Sequence, residues 1–117
     1  LDGGHNPAAG RMLAEALGRM PPRPTWLICG MLNTKDVAGF LAPLVDQIDG
    51  LAAVPIPGEA AALDPSDIVS AAQNLGISAQ AANSPIEALG RFSDEQPFRV
   101  IIGGSLYLAG KILKDHA

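Results

Sequence analysis

One cysteine, Cys29, stands among 117 residues, so neither an intramolecular disulfide nor a cysteine-based zinc site can form. A lone cysteine of this kind, set in the apolar run Thr25-Trp26-Leu27-Ile28-Cys29, reads as a small hydrophobe in a buried strand. Aromatic residues are scarce: Trp26, Phe40, Phe92, Phe98 and Tyr107 are all there are, 4% of the chain. Alanine, leucine, valine and isoleucine must therefore fill the interior, which suits helices laid closely on a sheet. No Lys/Arg cluster occurs and the formal net charge is −4, which argues against nucleic acid, whose binding leans on several phosphate contacts. No apolar run approaches the roughly 18 residues of a membrane span, and no basic segment leads a signal peptide. No membrane partner is expected, and a reducing, cytoplasmic location is the default expectation. Also missing are the G-x-G-x-x-G dinucleotide fingerprint, the G-x-x-x-x-G-K-[ST] phosphate loop and any metal-ligand cluster. The chain cannot grip a triphosphate alone in the manner of a P-loop enzyme, and no residue is assigned to a metal.

What is present alternates. A helix is expected from about Pro7 to Leu17, ended by Gly18 and followed by the stiff Pro21-Pro22-Arg23-Pro24. A strand follows over Thr25 to Cys29. A second helix is expected from Thr34 or Lys35, carrying an apolar stripe of Val37, Phe40, Leu41, Leu44, Val45 and Ile48, with a kink or early stop at Pro43. Leu51 to Ile56 reads as a strand. Asp64-Pro65 and Ser84-Pro85-Ile86-Glu87 each open a helix with a cap and a proline, the second with capping-box spacing. Ile77 to Ala81 is a weak strand and Arg99 to Ile102 a strong one, with helix resuming over Leu106 to Leu113. This is an α/β pattern: a single domain over residues 1–117, Rossmann-like, with a mostly parallel sheet flanked by helices. The chain lacks an initiator methionine and opens inside a motif. It reads as a piece of a longer protein, with Leu1 as the last residue of a first strand.

Ligands in open α/β sheets bind beyond the carboxyl ends of the strands. Three segments with suitable residues lie there: Asp2 to Pro7, Gly30 to Asp36, and Gly103 to Ser105. Parallel strands put them on one edge of the sheet, although adjacency depends on strand order, which a single sequence does not reveal. In the first, Gly3 and Gly4 let backbone approach a ligand, Asn6 caps the coming helix and Pro7 fits its first position. Asp2 either accepts hydrogen bonds from ribose hydroxyls or ties its own turn. His5 either binds a substrate carboxylate or polarises a group, or it fixes the loop, and the local pattern alone favours the last. Gly103-Gly104-Ser105 is either a small anion nest or two turn glycines before an N-cap serine. Lys35 is either a phosphate contact or a solvated lysine, while Asp36 satisfies first-turn amides. A phospho-receiver would need acidic residues at the middle strand ends, and Cys29-Gly30 and Ile56-Pro57 carry none.

Leu1-Asp2-Gly3-Gly4-His5-Asn6-Pro7 resembles the D-G-A-H-N-P motif that opens the C-terminal domain of folylpolyglutamate synthase/dihydrofolate synthase, in the Mur ligase superfamily. Gly30-Met31-Leu32-Asn33-Thr34-Lys35-Asp36 is similar to that family's G-x-x-x-D-K-D stretch, and Gly103-Gly104-Ser105-Leu106-Tyr107-Leu108-Ala109-Gly110 to its G-S-L-Y-L-x-G ending. The departures are Gly4 for the commoner alanine and Thr34 where an acid often precedes Lys-Asp. The resemblance implies a domain that closes over an ATPase domain of the same protein, here the main expected partner. It implies ATP-dependent addition of L-glutamate to dihydropteroate or folate through an acyl phosphate. Asp2 would contact the ATP ribose, and His5 and Ser105 the incoming glutamate. Gly3, Gly4, Asn6, Gly103, Gly104 and Lys35 would support the loops, and no catalytic residue is assigned within the chain. The P-loop, a nucleotide-contacting arginine, a modified lysine and the Mg2+ ligands would lie in domains upstream. Alternatives are a peptidoglycan-building Mur ligase, which the Gly103–Gly110 ending disfavours, and a non-catalytic nucleotide-binding α/β module.

Overall fold

The computed structural model describes residues 7–32, 36–92 and 98–104. In chain order these form α1 (Pro7–Gly18), β1 (Thr25–Gly30), α2 (Val37–Leu41) with a 3-10 turn at Ala42–Leu44, β2 (Gly50–Ala53), α3 (Pro65–Asn74), β3 (Ala79–Ala81), α4 (Pro85–Arg91) and β4 (Arg99–Gly104). The strands make one sheet in the order β3-β2-β1-β4, every pair parallel.

Alternation along the central strands decides the layering. Leu27 and Cys29 of β1, with Leu51 and Ala53 of β2, face α1, α2 and α3 and build the larger core with Met31, Phe40, Leu41, Leu44 and Ile68. Ile28 and Ala52 face the other way, onto Val54, Ile56, Ala88 of α4 and Phe92. Both faces of β1 and β2 are covered, so these strands are nearly all apolar, as buried parallel strands are. Trp26 anchors the second face by stacking on Phe92, with ring centroids 5.3 Å apart and planes 12° from parallel. Its indole Nε1 is buried without a hydrogen-bond partner. This pairing had no signal in the sequence, because residues 26 and 92 meet only through the sheet order.

Side-chain caps start α2, α3 and α4. The Asp36 carboxylate accepts from the Gly39 N–H at 2.8 Å, the Asp64 carboxylate from the Ser66 N–H at 2.9 Å, and the Ser84 hydroxyl from the Glu87 N–H at 3.1 Å. Glu87 pairs with Arg91 one turn on. Pro43 stops α2 early, as expected, and the chain tightens into the 3-10 turn before leaving the helix. Just beyond α3 and its cap Leu75, Gly76 has a φ of +85°, a left-handed conformation that suits glycine.

α2 begins at Val37, behind the Asp36 cap, rather than at Thr34 or Lys35, and three strand boundaries also differ from expectation. β2 runs over Gly50–Ala53 rather than Leu51 to Ile56, because β1 gives out at Gly30 and Pro55 has no N–H to continue a ladder. β3 is only Ala79–Ala81, since the Ile77 N–H is already spent on the Ala72 carbonyl at the end of α3. β4 extends through Gly103 and Gly104, which pair with Cys29 and Gly30 of β1 rather than forming a turn.

The outer edge of the sheet at β3 is closed by side chains. Ser78 accepts from Leu51 and Ala82 donates to Ala53, so the alternate residues Ala79 and Ala81 point their carbonyls away from β2. Gln73 Nε2 of α3 donates to the Ala79 carbonyl at 3.4 Å, and Arg91 Nη1 of α4 to the Ala81 carbonyl at 2.6 Å. Open strand edges invite pairing with another chain, and occupied carbonyls discourage it.

Three measurements test these features. A Gln73→Ala/Arg91→Ala double variant should show more concentration-dependent association by light scattering than the parent chain; identical behaviour would mean that the edge needs no such cover. The backbone N–H of Ser66, and then its hydroxyl, hold the Asp64 carboxyl below its ordinary value of 3.8. A lowered folded-state value means stabilisation that is present above the unfolded value and lost as pH falls through the lowered one. Urea midpoints between about pH 5 and 2 should therefore fall less steeply for Asp64→Ala than for the parent, and equal slopes would contradict the cap. Burial pushes the Cys29 thiol up to about 12, so a thiol reagent at neutral pH should label it only after unfolding.

Candidate functional site

The carboxyl ends of β1 and β4 are adjacent, which strand order could not reveal beforehand. Cys29 pairs with Gly103 and Gly30 with Gly104, so the two tips end level with each other. Beyond β1, Met31 is fully buried and its carbonyl accepts from the Leu63 N–H at 2.7 Å. Leu32 forms an antiparallel bridge with Ala62, so the segment before α3 holds the chain as it leaves the tip. Asp36 then caps α2, as expected of it, and its carboxylate already takes the amide that a ligand would otherwise meet at that short helix.

The start of α1 comes to the same place. The Pro7 side chain lies against Gly39: a Cβ built on Gly39 would sit 2.7 Å from Pro7 Cγ. One turn further along, a Cβ on Gly10 would sit 2.2 Å from the Phe40 carbonyl oxygen, so α1 and α2 cross backbone to backbone. The Phe40 ring reaches toward β4, where its Cζ lies 3.5 Å from the Cβ position of Gly103. Pro7 thus meets the first turn of α2 at Gly39, while Phe40 of α2 lies between Gly10 of α1 and Gly103 of β4. The positive end of the twelve-residue α1 dipole belongs to this group and favours an anion nearby.

Of the expected site residues, Gly103 and Gly104 are placed at this edge. Asp2, Gly3, Gly4, His5, Asn6, Lys35 and Ser105 lie outside the described residues. Chain connectivity nevertheless fixes what adjoins them: Asn6 precedes Pro7, Lys35 precedes Asp36, and Ser105 follows Gly104. Among the described residues no group of three His, Cys, Asp or Glu can hold a metal ion, and no helix is long and apolar enough to cross a membrane.

At the opposite edge, where the strands begin, is a cleft of about 340 Å³ that sequence reasoning missed, lined among others by Arg23, Asp46, Asp49 and Arg99. Its polar groups close the strand starts. Asp49 accepts from the Thr25 N–H at 2.7 Å, and Arg99 donates to the Pro21 carbonyl at 2.9 Å and to the Thr25 hydroxyl at 3.4 Å. Only the sheet order brings residues 21, 49 and 99 together, so no local motif marks the cleft.

Comparison with known proteins agrees with the fold. A folylpolyglutamate synthase from Lacticaseibacillus casei is 30% identical over 113 residues, covering 96% of this chain and 25% of the relative. A Mycobacterium tuberculosis folylpolyglutamate synthase, complexed with ADP and AMPPCP, superposes with a TM-score of 0.84 at 25% identity, covering 97% of this chain and 28% of that one. The bifunctional folylpolyglutamate synthase/dihydrofolate synthase of Yersinia pestis, complexed with AMPPNP and a Mn ion, shares the fold with a TM-score of 0.75 at 24% identity, over 100% and 28% of the two chains. The chain thus spans about a quarter of the length of these relatives. The profile of one family, described as dihydrofolate synthetase, C-terminal domain, matches residues 1–115, and the chain belongs to that family.

Proposed function

We propose that this chain is the C-terminal domain of an ATP-dependent amide ligase that adds L-glutamate to dihydropteroate or to a folate, and that its strand-tip edge faces ATP and glutamate. The observation that carries this reading is the meeting of the α1 and α2 starts at Pro7 and Gly39, with Phe40 linking Gly10 of α1 to Gly103 at the β4 tip. The stretches resembling the family motifs enter or leave the fold at these points. Relatives of the same family have been solved with ADP, AMPPCP and AMPPNP, which supports a nucleotide as one ligand.

In this reading a substrate carboxylate oxygen attacks the γ-phosphorus of ATP and ADP leaves. The glutamate amine then attacks the acyl carbon of the acyl phosphate, inorganic phosphate leaves and the nitrogen loses a proton. Asp2 accepts hydrogen bonds from the ribose hydroxyls, and His5 and Ser105 hold the glutamate. Gly3, Gly4 and Asn6 shape the first loop, and Lys35 lies beside the second. Acyl phosphates are lost to water, so a domain that closes over the intermediate protects it. Holding the amine beside the acyl carbon gains rate by proximity, up to roughly 7–11 kcal/mol in well-oriented cases. Mg2+ would neutralise phosphate charge, and its ligands are assigned to the rest of the ligase.

The full-length protein carrying this chain should consume ATP and glutamate with dihydropteroate or a folate. Activity only with a UDP-muramoyl acceptor would overturn the folate assignment in favour of a peptidoglycan ligase. In that protein Asp2→Ala should raise the KM for ATP about 10-fold or more, and His5→Ala or Ser105→Ala the KM for glutamate, the size expected for losing a hydrogen bond to a charged group or a ribose. Equal losses for both substrates, with a lower melting temperature, would return these residues to a purely structural role.

A further inference from the structure

Phe40 touches two other elements in two different ways. Its carbonyl group abuts α1: a Cβ on Gly10 would lie 2.2 Å from the oxygen and 3.0 Å from the carbonyl carbon. Its ring, 1% exposed, points at β4, where a Cβ on Gly103 would meet Phe40 Cζ at 3.5 Å and Leu27 Cδ1 at 3.1 Å. One residue of α2 therefore spans the space between α1 and the tip of β4. Pro7 against Gly39 repeats the α1–α2 contact one turn nearer the sheet edge.

We infer that Gly10 and Phe40 act as a spacer, positioning residues that set the separation between the start of α1 and the tip of β4. This inference rests on the ligase reading, because those two points carry the loops assigned to nucleotide and glutamate. Helix propensity alone makes a different forecast. Alanine is a better helix former than glycine by about 1 kcal/mol, so by propensity Gly10→Ala should be neutral or stabilising. The contact says otherwise: real Cβ atoms essentially never come within 3.0 Å of such an atom, so α1 and the Phe40 backbone must part by about 1 Å. A misplacement near 1 Å, even far from the chemistry, can cost about 100-fold in rate. Gly18, at the other end of α1, has nothing within 4 Å of its Cβ position and serves as the control.

The test uses Gly10→Ala, Phe40→Leu and Gly18→Ala in the full-length ligase, reading KM for ATP, KM for glutamate and kcat beside circular dichroism and melting. The spacer role predicts a rise of about 10- to 100-fold in one or both KM values for Gly10→Ala with the helical signal retained. Phe40→Leu, which withdraws the ring tip from Gly103, should move the same constants, and Gly18→Ala none. Unchanged KM and kcat in Gly10→Ala would overturn the inference, as would unfolding of both variants, which would assign the pair to the core alone. A second readout does not depend on catalysis. In amide spectra of the 117-residue chain, Gly10→Ala should shift the resonances of Gly103 and Gly104 and leave those of Ala79 to Ala81 in place. If the wild-type ligase transfers no glutamate, the ligase reading falls, and these spectra alone decide the spacer: shifts at β4 support it and their absence refutes it.

Discussion

The close approach of α1 to α2, with no side chain between their backbones at Gly10, is the constraint on which the arrangement of the sheet edge depends. Helices that pack through ordinary side chains stay roughly 8–10 Å apart. Removing the Cβ at the crossing lets α1 settle lower, so that Pro7 reaches Gly39 and the helix starts side by side. At Gly103 the tight neighbour is Leu27 Cδ1, 3.1 Å from the Cβ position, with the Phe40 ring in van der Waals contact at 3.5 Å. Glycine at these positions serves proximity rather than flexibility.

The sheet supplies the other half of the arrangement. Because β1 is central and pairs with both β2 and β4, the tips of the first and last described strands end next to each other although some 75 residues separate them in sequence. The core on the helix-rich face fixes this edge through Leu27, Met31, Phe40 and Leu41, while Trp26 stacked on Phe92 anchors the opposite face. At the strand starts, Arg99 and Asp49 tie Pro21 and Thr25 into place, so the sheet is pinned at the end remote from the candidate site. A rigid base and loops beyond the strand tips are the common arrangement of ligand-binding α/β domains.

Much of this was legible in the sequence because it is local chemistry. Asp64 and Ser84 announce their helix starts through residues two or three positions away, and Pro43 announces the end of α2, whereas α2 starts behind Asp36, later than Thr34 or Lys35. The apolar runs marked β1 and β4, the resemblance of three stretches to one family marked the fold, and the profile match agrees with it. Strand order, the Trp26–Phe92 stack, the cleft at Arg99 and the cover on the β3 edge were not legible, since each joins residues that only the tertiary structure brings together. The strand ends were misjudged for a related reason: β2 stops where its neighbour β1 stops, and β4 runs on because β1 is there to pair with Gly103 and Gly104. Gly10 reads in sequence as a weak point in a helix, and only the Phe40 carbonyl beside it reveals what the missing side chain permits.

In the proposed ligase the segments entering α1 and leaving β4 would form one wall facing nucleotide and amino acid. A crystal structure of the full-length ligase with a non-hydrolysable ATP analogue and L-glutamate tests it most directly. The account predicts the ribose against Asp2 and the glutamate carboxylates against His5 and Ser105, all at the edge where β1 and β4 end. Ligands seated at the strand starts near Arg99, or touching this domain through none of those three residues, would contradict it.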